Sequence, residues 1–131
     1  MTTPKRLEYA VSERSGTPVH AEPDWTAEHF LLAGLARCSL SSLQYFAKRV
    51  NVEASGTAAA DGVVTRRDAD GRYAFVQTRV VLDVQVKPAL EGEDLSKLLD
   101  SAEYGCFVGA SLTAMPTYEW RVNGEAVPRS R

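Results

Sequence analysis

The chain has no long apolar run. No stretch approaches the roughly 18 apolar residues of a membrane helix, so no membrane span is expected. The opening residues Met1-Thr2-Thr3-Pro4-Lys5-Arg6 lead into no apolar segment, which predicts no signal peptide and a cytoplasmic location. Charge of one sign is also missing. The formal net charge is -2, which leaves no electrostatic footprint for nucleic acid. Arg66-Arg67 is a short basic cluster beside acids and reads as solvated surface. Histidine and cysteine are scarce, two of each. No C-x-x-C or H-x-x-x-H spacing occurs, so His20 and His29 are not expected to join the cysteines at a metal, and no bound cofactor is expected. Repeats and low-complexity segments are absent.

What the chain does have is enough length for one ordinary domain with a real core, so residues 1–131 are expected to form a single domain. Its two cysteines carry the most information. Cys38 ends an apolar helical run, Phe30-Leu31-Leu32-Ala33-Gly34-Leu35-Ala36-Arg37-Cys38. Cys106 follows Gly105 and opens a second short helical stretch. A thiol at a helix N-terminus feels the positive end of the dipole and loses its proton more easily. In a reducing compartment a disulfide is transient or catalytic more often than structural. Two readings stand at this point: redox chemistry by a thiol pair, or two unrelated buried thiols.

The period-two alternation of Leu7, Tyr9 and Val11 predicts a strand in a hairpin over residues 6–21, with Ser12 to Gly16 as its turn and Thr17-Pro18-Val19-His20 as an edge return. Thr26 is a good cap for a helix running to about Arg49, apolar all round in its first half and amphipathic in its second. Strands are expected over Val52 to Arg67 and Tyr73 to Lys87, joined by a turn at Asp68-Ala69-Asp70-Gly71. A helix follows from Glu91 to Tyr104, ended by Gly105, then a short helix from Cys106 to Leu112. Thr117 to Val122 is the last expected strand, stopped by Asn123-Gly124, and the tail from Pro128 is expected to fray. Strands, helix, strands, helices, strand is an α+β order. So apolar a helix is hard to cover in so small a domain, which predicts a tightly packed or intertwined homodimer.

Glu28-His29-Phe30-Leu31-Leu32-Ala33-Gly34-Leu35-Ala36-Arg37-Cys38 resembles the central-helix motif of the OsmC/Ohr family of thiol-dependent hydroperoxide reductases. Ala102-Glu103-Tyr104-Gly105-Cys106-Phe107-Val108 resembles that family's second-cysteine motif, and Thr117 to Gly124 its closing strand. The likeness covers nearly the whole chain from Thr26 onward. It implies antiparallel sheets around a long central helix. It also implies that Cys38 is the peroxidatic cysteine, Cys106 the resolving cysteine and Glu28 the helix-start glutamate. Arg14 matches the catalytic arginine, with Arg6 as its competitor. Three residues depart from the family pattern: Thr26-Ala27 in place of Asn-Pro, Arg37 where a small residue is usual, and Ser39 where an aromatic residue or threonine is common.

The resemblance implies a peroxidase cycle. The Cys38 thiolate attacks a peroxide oxygen and becomes a sulfenic acid, and Cys106 condenses with it to a disulfide. An external dithiol, with lipoyl-type carriers among the candidates, then reopens the bond. An arginine would favour the thiolate and bind the peroxide oxygens, held in place by Glu28. Glu28 and Cys38 are ten residues apart, roughly 15 Å along an unbroken helix. Either Arg14 bridges that gap, or Glu28 of one chain serves Cys38 of a second. The aromatic residues Tyr104, Phe107, Tyr118 and Trp120 are expected in core or dimer packing, or around the mouth of an apolar pocket. The competing readings are a non-catalytic dimeric binding or stress protein, favoured by Arg37, and a thiol redox sensor without turnover.

Overall fold

The structure is a computed structural model, and it describes the backbone of residues 5–12 and residues 26–129 in full. The described elements run β1 (Lys5–Ser12), α1 (Ala27–Arg49), β2 (Glu53–Arg66), β3 (Tyr73–Lys87), α2 (Gly92–Tyr104), α3 (Phe107–Ala110), β4 (Thr117–Val122) and β5 (Glu125–Val127). This is the α+β order expected. The five strands form one sheet in the order β1-β2-β3-β4-β5.

One sheet pairing departs from the antiparallel expectation. β3 and β4 are parallel, with Val80 opposite Tyr118 and Leu82 opposite Trp120. Residues 88–116 separate them, long enough to hold a helical crossover, and a parallel pair requires such a connection. α2 and α3 occupy it. β1 pairs with β2, Leu7 opposite Gly62; the expected return strand at residues 17–20 lies outside the described residues.

The strand β5 was not foreseen. Asn123 and Gly124 both have positive φ, 51° and 84°, and Val122 pairs with Glu125 across them. That is the backbone of a two-residue primed turn, for which Asn-Gly is the preferred sequence. The dipeptide turns the strand back where a stop was expected. Nor does the tail fray at Arg129. Its guanidinium pairs with Asp100 and donates to Glu103 Oε2 at 3.1 Å, and Trp120 Nε1 donates to the same oxygen at 2.8 Å. Pairs so distant in sequence leave no local pattern to read.

Thr26 caps α1 through a ring of local bonds. Its N–H donates to His29 Nδ1 at 3.1 Å, and its hydroxyl lies 2.9 Å from the same nitrogen. His29 thus serves the helix start. α1 lies on the sheet through Leu32, Leu35, Ala36, Leu43 and Ala47, against Ala58 and Ala60 of β2 and Val80, Leu82, Val84 and Val86 of β3. The alanines of β2 let the helix backbone sit close. Leu98, Leu99 and Ala102 of α2 complete the core. The helix is not covered all round: Phe30 and Tyr45 are more than half exposed, and Gly34 and Arg37 are partly so. No described helix is long and apolar enough to cross a membrane.

Candidate functional site

Small residues bring the two cysteine-bearing segments together. Ser42 Oγ donates to Ala102 O at 2.8 Å and ties α1 to the end of α2. Gly105 follows, where a Cβ would meet the Phe46 ring at 2.6 Å and Ser42 Oγ at 2.9 Å. Gly105 has an ordinary right-handed helical conformation, so close approach to α1 is what demands a glycine here. The chain then turns into α3 with Cys106 at its N-cap.

The result is a thiol pair. Cys38, in the middle of α1, is 8% exposed, and Cys106 is fully buried; both are free thiols. Cys106 acts on Cys38 through its charge and a side-chain hydrogen bond, and the backbone N–H groups of Val108 and Phe107 at the start of α3 also face the Cys38 sulfur. Burial pushes the Cys38 thiol up from its ordinary value, and the Val108 N–H pulls it partly back. The charge and hydrogen bond of Cys106 raise it further, and the Phe107 N–H lowers it.

Behind the pair stands a group of hydroxyls. Ser39 Oγ donates to Leu35 O at 2.8 Å and lies 3.4 Å from Cys106 Sγ. The Tyr118 hydroxyl interacts with Ser39 and Cys106 and is pushed far up by burial first, then by the Cys106 charge. A Cβ on Gly109 would lie 3.1 Å from that hydroxyl and 3.6 Å from Cys106 Sγ, so glycine keeps this corner open.

Cys38 lines a hollow of about 630 Å³ with Gly34, Arg37, Tyr45, Phe46 and Phe107. The lining is apolar apart from Arg37 and two serines. A larger hollow of about 1410 Å³ lies between α2 and β4–β5 and is lined by neither cysteine. The smaller one is where chemistry at Cys38 has room. Of the aromatic residues expected in core or dimer packing or around a pocket mouth, Phe107 and Tyr104 stand 73% and 90% exposed in the single chain, with Phe107 at the smaller hollow, whereas Trp120 is buried.

The structure does not bring Glu28 to Cys38 within one chain. Glu28 sits in the first turn of α1, ten positions before the thiol and already engaged by other groups. Arg14 lies outside the described residues. So does the side chain of Arg6, whose backbone pairs with Val63. Arg37 is placed at the hollow and is likewise engaged. Among the described residues no three metal-ligating side chains cluster. The sequence marks Ser39 only as a departure and Tyr118 only as a packing or pocket-mouth residue. A serine beside Cys38, on the helix face of Leu35 and Ser42, was the available signal.

No curated protein matches the sequence. Among solved structures, an OsmC-like protein of unknown function from Vibrio cholerae aligns over 92% of this chain and 99% of its own, with TM-score 0.60 and 17% identity. An OsmC-like protein from Mycoplasma pneumoniae aligns over 90% and 96%, with TM-score 0.60 and 15% identity. The organic hydroperoxide resistance protein OhrB of Bacillus subtilis covers 93% and 98% at 20% identity, with TM-score 0.44. The first two share the fold described above. Residues 20–121, from before α1 into β4 and through both cysteines, match the family described as OsmC-like protein, and the chain belongs to that family.

Proposed function

We propose that this protein is a thiol-dependent peroxidase that reduces organic hydroperoxides. Cys38 attacks the outer peroxide oxygen, and the alcohol leaves as a Cys38 sulfenic acid forms. Cys106 then displaces water from that sulfur and closes a Cys38–Cys106 disulfide. An external dithiol, lipoyl-type among the candidates, restores both thiols. One observation carries this reading: the two free thiols are neighbours that influence each other electrostatically, and the outer one opens on an apolar hollow. An apolar lining suits an alkyl or aryl hydroperoxide better than hydrogen peroxide.

The raised Cys38 thiol needs a cation to ionise near neutral pH, and in this reading Arg14 supplies it, with Arg6 as competitor. Glu28 holds that arginine, from the same chain or from a second copy. We propose a homodimer in which the second copy covers Phe30, Tyr45 and Phe107, all more than half exposed in one chain. Exposed large apolar side chains of this kind support an interface there.

The raised thiol also favours a second reading, in which the hollow binds a small molecule and the cysteines do not turn over. Titration of free thiols separates the readings. Cumene hydroperoxide is expected to consume both thiols, and a dithiol to sustain turnover. Cys38→Ser should stop the reaction outright. Cys106→Ser should react once and stop at a sulfenic acid. Undiminished thiols after peroxide would leave the binding reading; loss without turnover would leave a sensor. Light scattering at micromolar concentration tests the dimer, and a monomer mass would sink it.

A further inference from the structure

Cys106 is fully buried, so no water solvates its sulfur when a disulfide there breaks. In the two-thiol cycle proposed above, that sulfur must nonetheless leave with an electron pair. The backbone N–H groups of Phe107 and Val108 act on Cys38. Besides Cys38, what faces Cys106 from other elements is the Ser39 hydroxyl of α1 at 3.4 Å and, across the open corner at Gly109, the Tyr118 hydroxyl of β4. Ser39 has a single proton, and its 2.8 Å bond to Leu35 O uses it. Its oxygen is therefore an acceptor at rest, and the Cys106 thiol is the donor.

We propose that Ser39 and Tyr118 are positioning residues for Cys106: their hydroxyls hold its thiol at rest and donate to its sulfur while the disulfide opens and closes. In reopening, a dithiol sulfur attacks Cys38 Sγ. A mixed disulfide bond forms there, the Cys38–Cys106 bond breaks, and the electron pair goes to Cys106. The Tyr118 hydroxyl, and Ser39 once rotated off Leu35 O, hydrogen-bond to that sulfur until it regains a proton. The second sulfur of the dithiol then resolves the mixed disulfide, so the dithiol is oxidised and both protein thiols are restored. Tyr118 suits the task because it stays neutral, held far above its ordinary value by burial and by the Cys106 charge. Glu103 of α2 is the remaining carboxylate felt at Tyr118, and it is held by Arg129 and Trp120.

The test rests on the disulfide alone and does not need a peroxide. The protein is oxidised with diamide, the Cys38–Cys106 bond is confirmed by peptide mass, and reopening by dithiothreitol is followed in a single turnover with acid trapping. Ser39→Ala and Tyr118→Phe should each slow reopening about tenfold, since each removes a hydrogen bond to a developing charge. Ser39→Thr, which keeps the hydroxyl, should reopen near the parent rate. Parent-like rates in both Ser39→Ala and Tyr118→Phe would overturn the proposal, as would a Ser39→Thr rate as slow as that of Ser39→Ala. A diamide-treated parent that never forms the bond would overturn both this inference and the peroxidase reading. If diamide closes the bond and an organic hydroperoxide does not, only the peroxidase reading falls, and the reopening rates still decide the role of the hydroxyls.

Discussion

Toward the sheet, α1 presents Leu32, Leu35, Leu43 and Ala47, none with measurable exposure; away from it the same helix presents Phe30 and Tyr45, each more than half exposed. The first face is complete within one chain. Its side chains pack in one core with short residues on β2 and branched ones on β3. The second face has apolar residues, a glycine and an arginine around a hollow. Cys38 lies at the border between the two. The inward face therefore sets stability, and the outward face sets what reaches the thiol.

Substitutions should separate the faces. Leu35→Ala, on the inward face, is expected to cost about 2–5 kcal/mol, because the surrounding sheet can collapse only partly into the void. Urea unfolding measures this, and a cost under about 1 kcal/mol would mean the face is less tightly filled than described. Gly105→Ala, at the border, should cost about 1–3 kcal/mol by overpacking against Phe46 and Ser42. The same variant should slow diamide-driven closure of the disulfide, since Cys106 follows directly in the chain. Gly34→Ala, on the outward face, should gain up to about 1 kcal/mol, because a Cβ there meets nothing within 4 Å and helix propensity rises. A loss instead would show that another backbone closes on this face, as an α1-to-α1 dimer contact would.

The smallest effect is on pH dependence. The folded Cys38 thiol lies above its ordinary value, so in the alkaline range the unfolded chain binds fewer protons than the folded one. Stability from this group is complete below the unfolded thiol value and falls as pH rises through the folded one. Unfolding titrations of the parent and Cys38→Ala should diverge only above that lower value, with the parent losing more. Curves parallel throughout would mean Cys38 ionises alike in both states.

The faces also differ in how much could be read from sequence. α1, β3, α2 and β4 were legible almost to their boundaries, because long patterned runs coincide with end signals such as Thr26 and Gly105. The family motif singled out both thiols. What escaped reading depends on distant partners. The parallel pairing of β3 with β4, the anchoring of Arg129 on Glu103, and the approach of Ser39 to Cys106 each join residues with no local pattern between them. Ser39 and Ser42 look like weak spots in an apolar helix until α2 and α3 are set against them. β5 is the exception, since Asn123-Gly124 was a hairpin signal read as a stop.

The crossover from β3 to β4 bears on the order of events as the chain folds. The β2–β3 hairpin closes over a short turn, whereas the parallel pair must first close the loop of residues 88–116, and pairings of that range form slowly. Cys38 rides on α1 and Cys106 on the crossover segment, so a late closure is expected to leave the thiols apart and reachable during that interval. A pulse of thiol-labelling reagent during refolding should tag Cys106 after the hairpin amides are already protected from exchange. Under oxidising conditions that interval is when a newly made chain would be damaged at the sulfurs, before burial shields them.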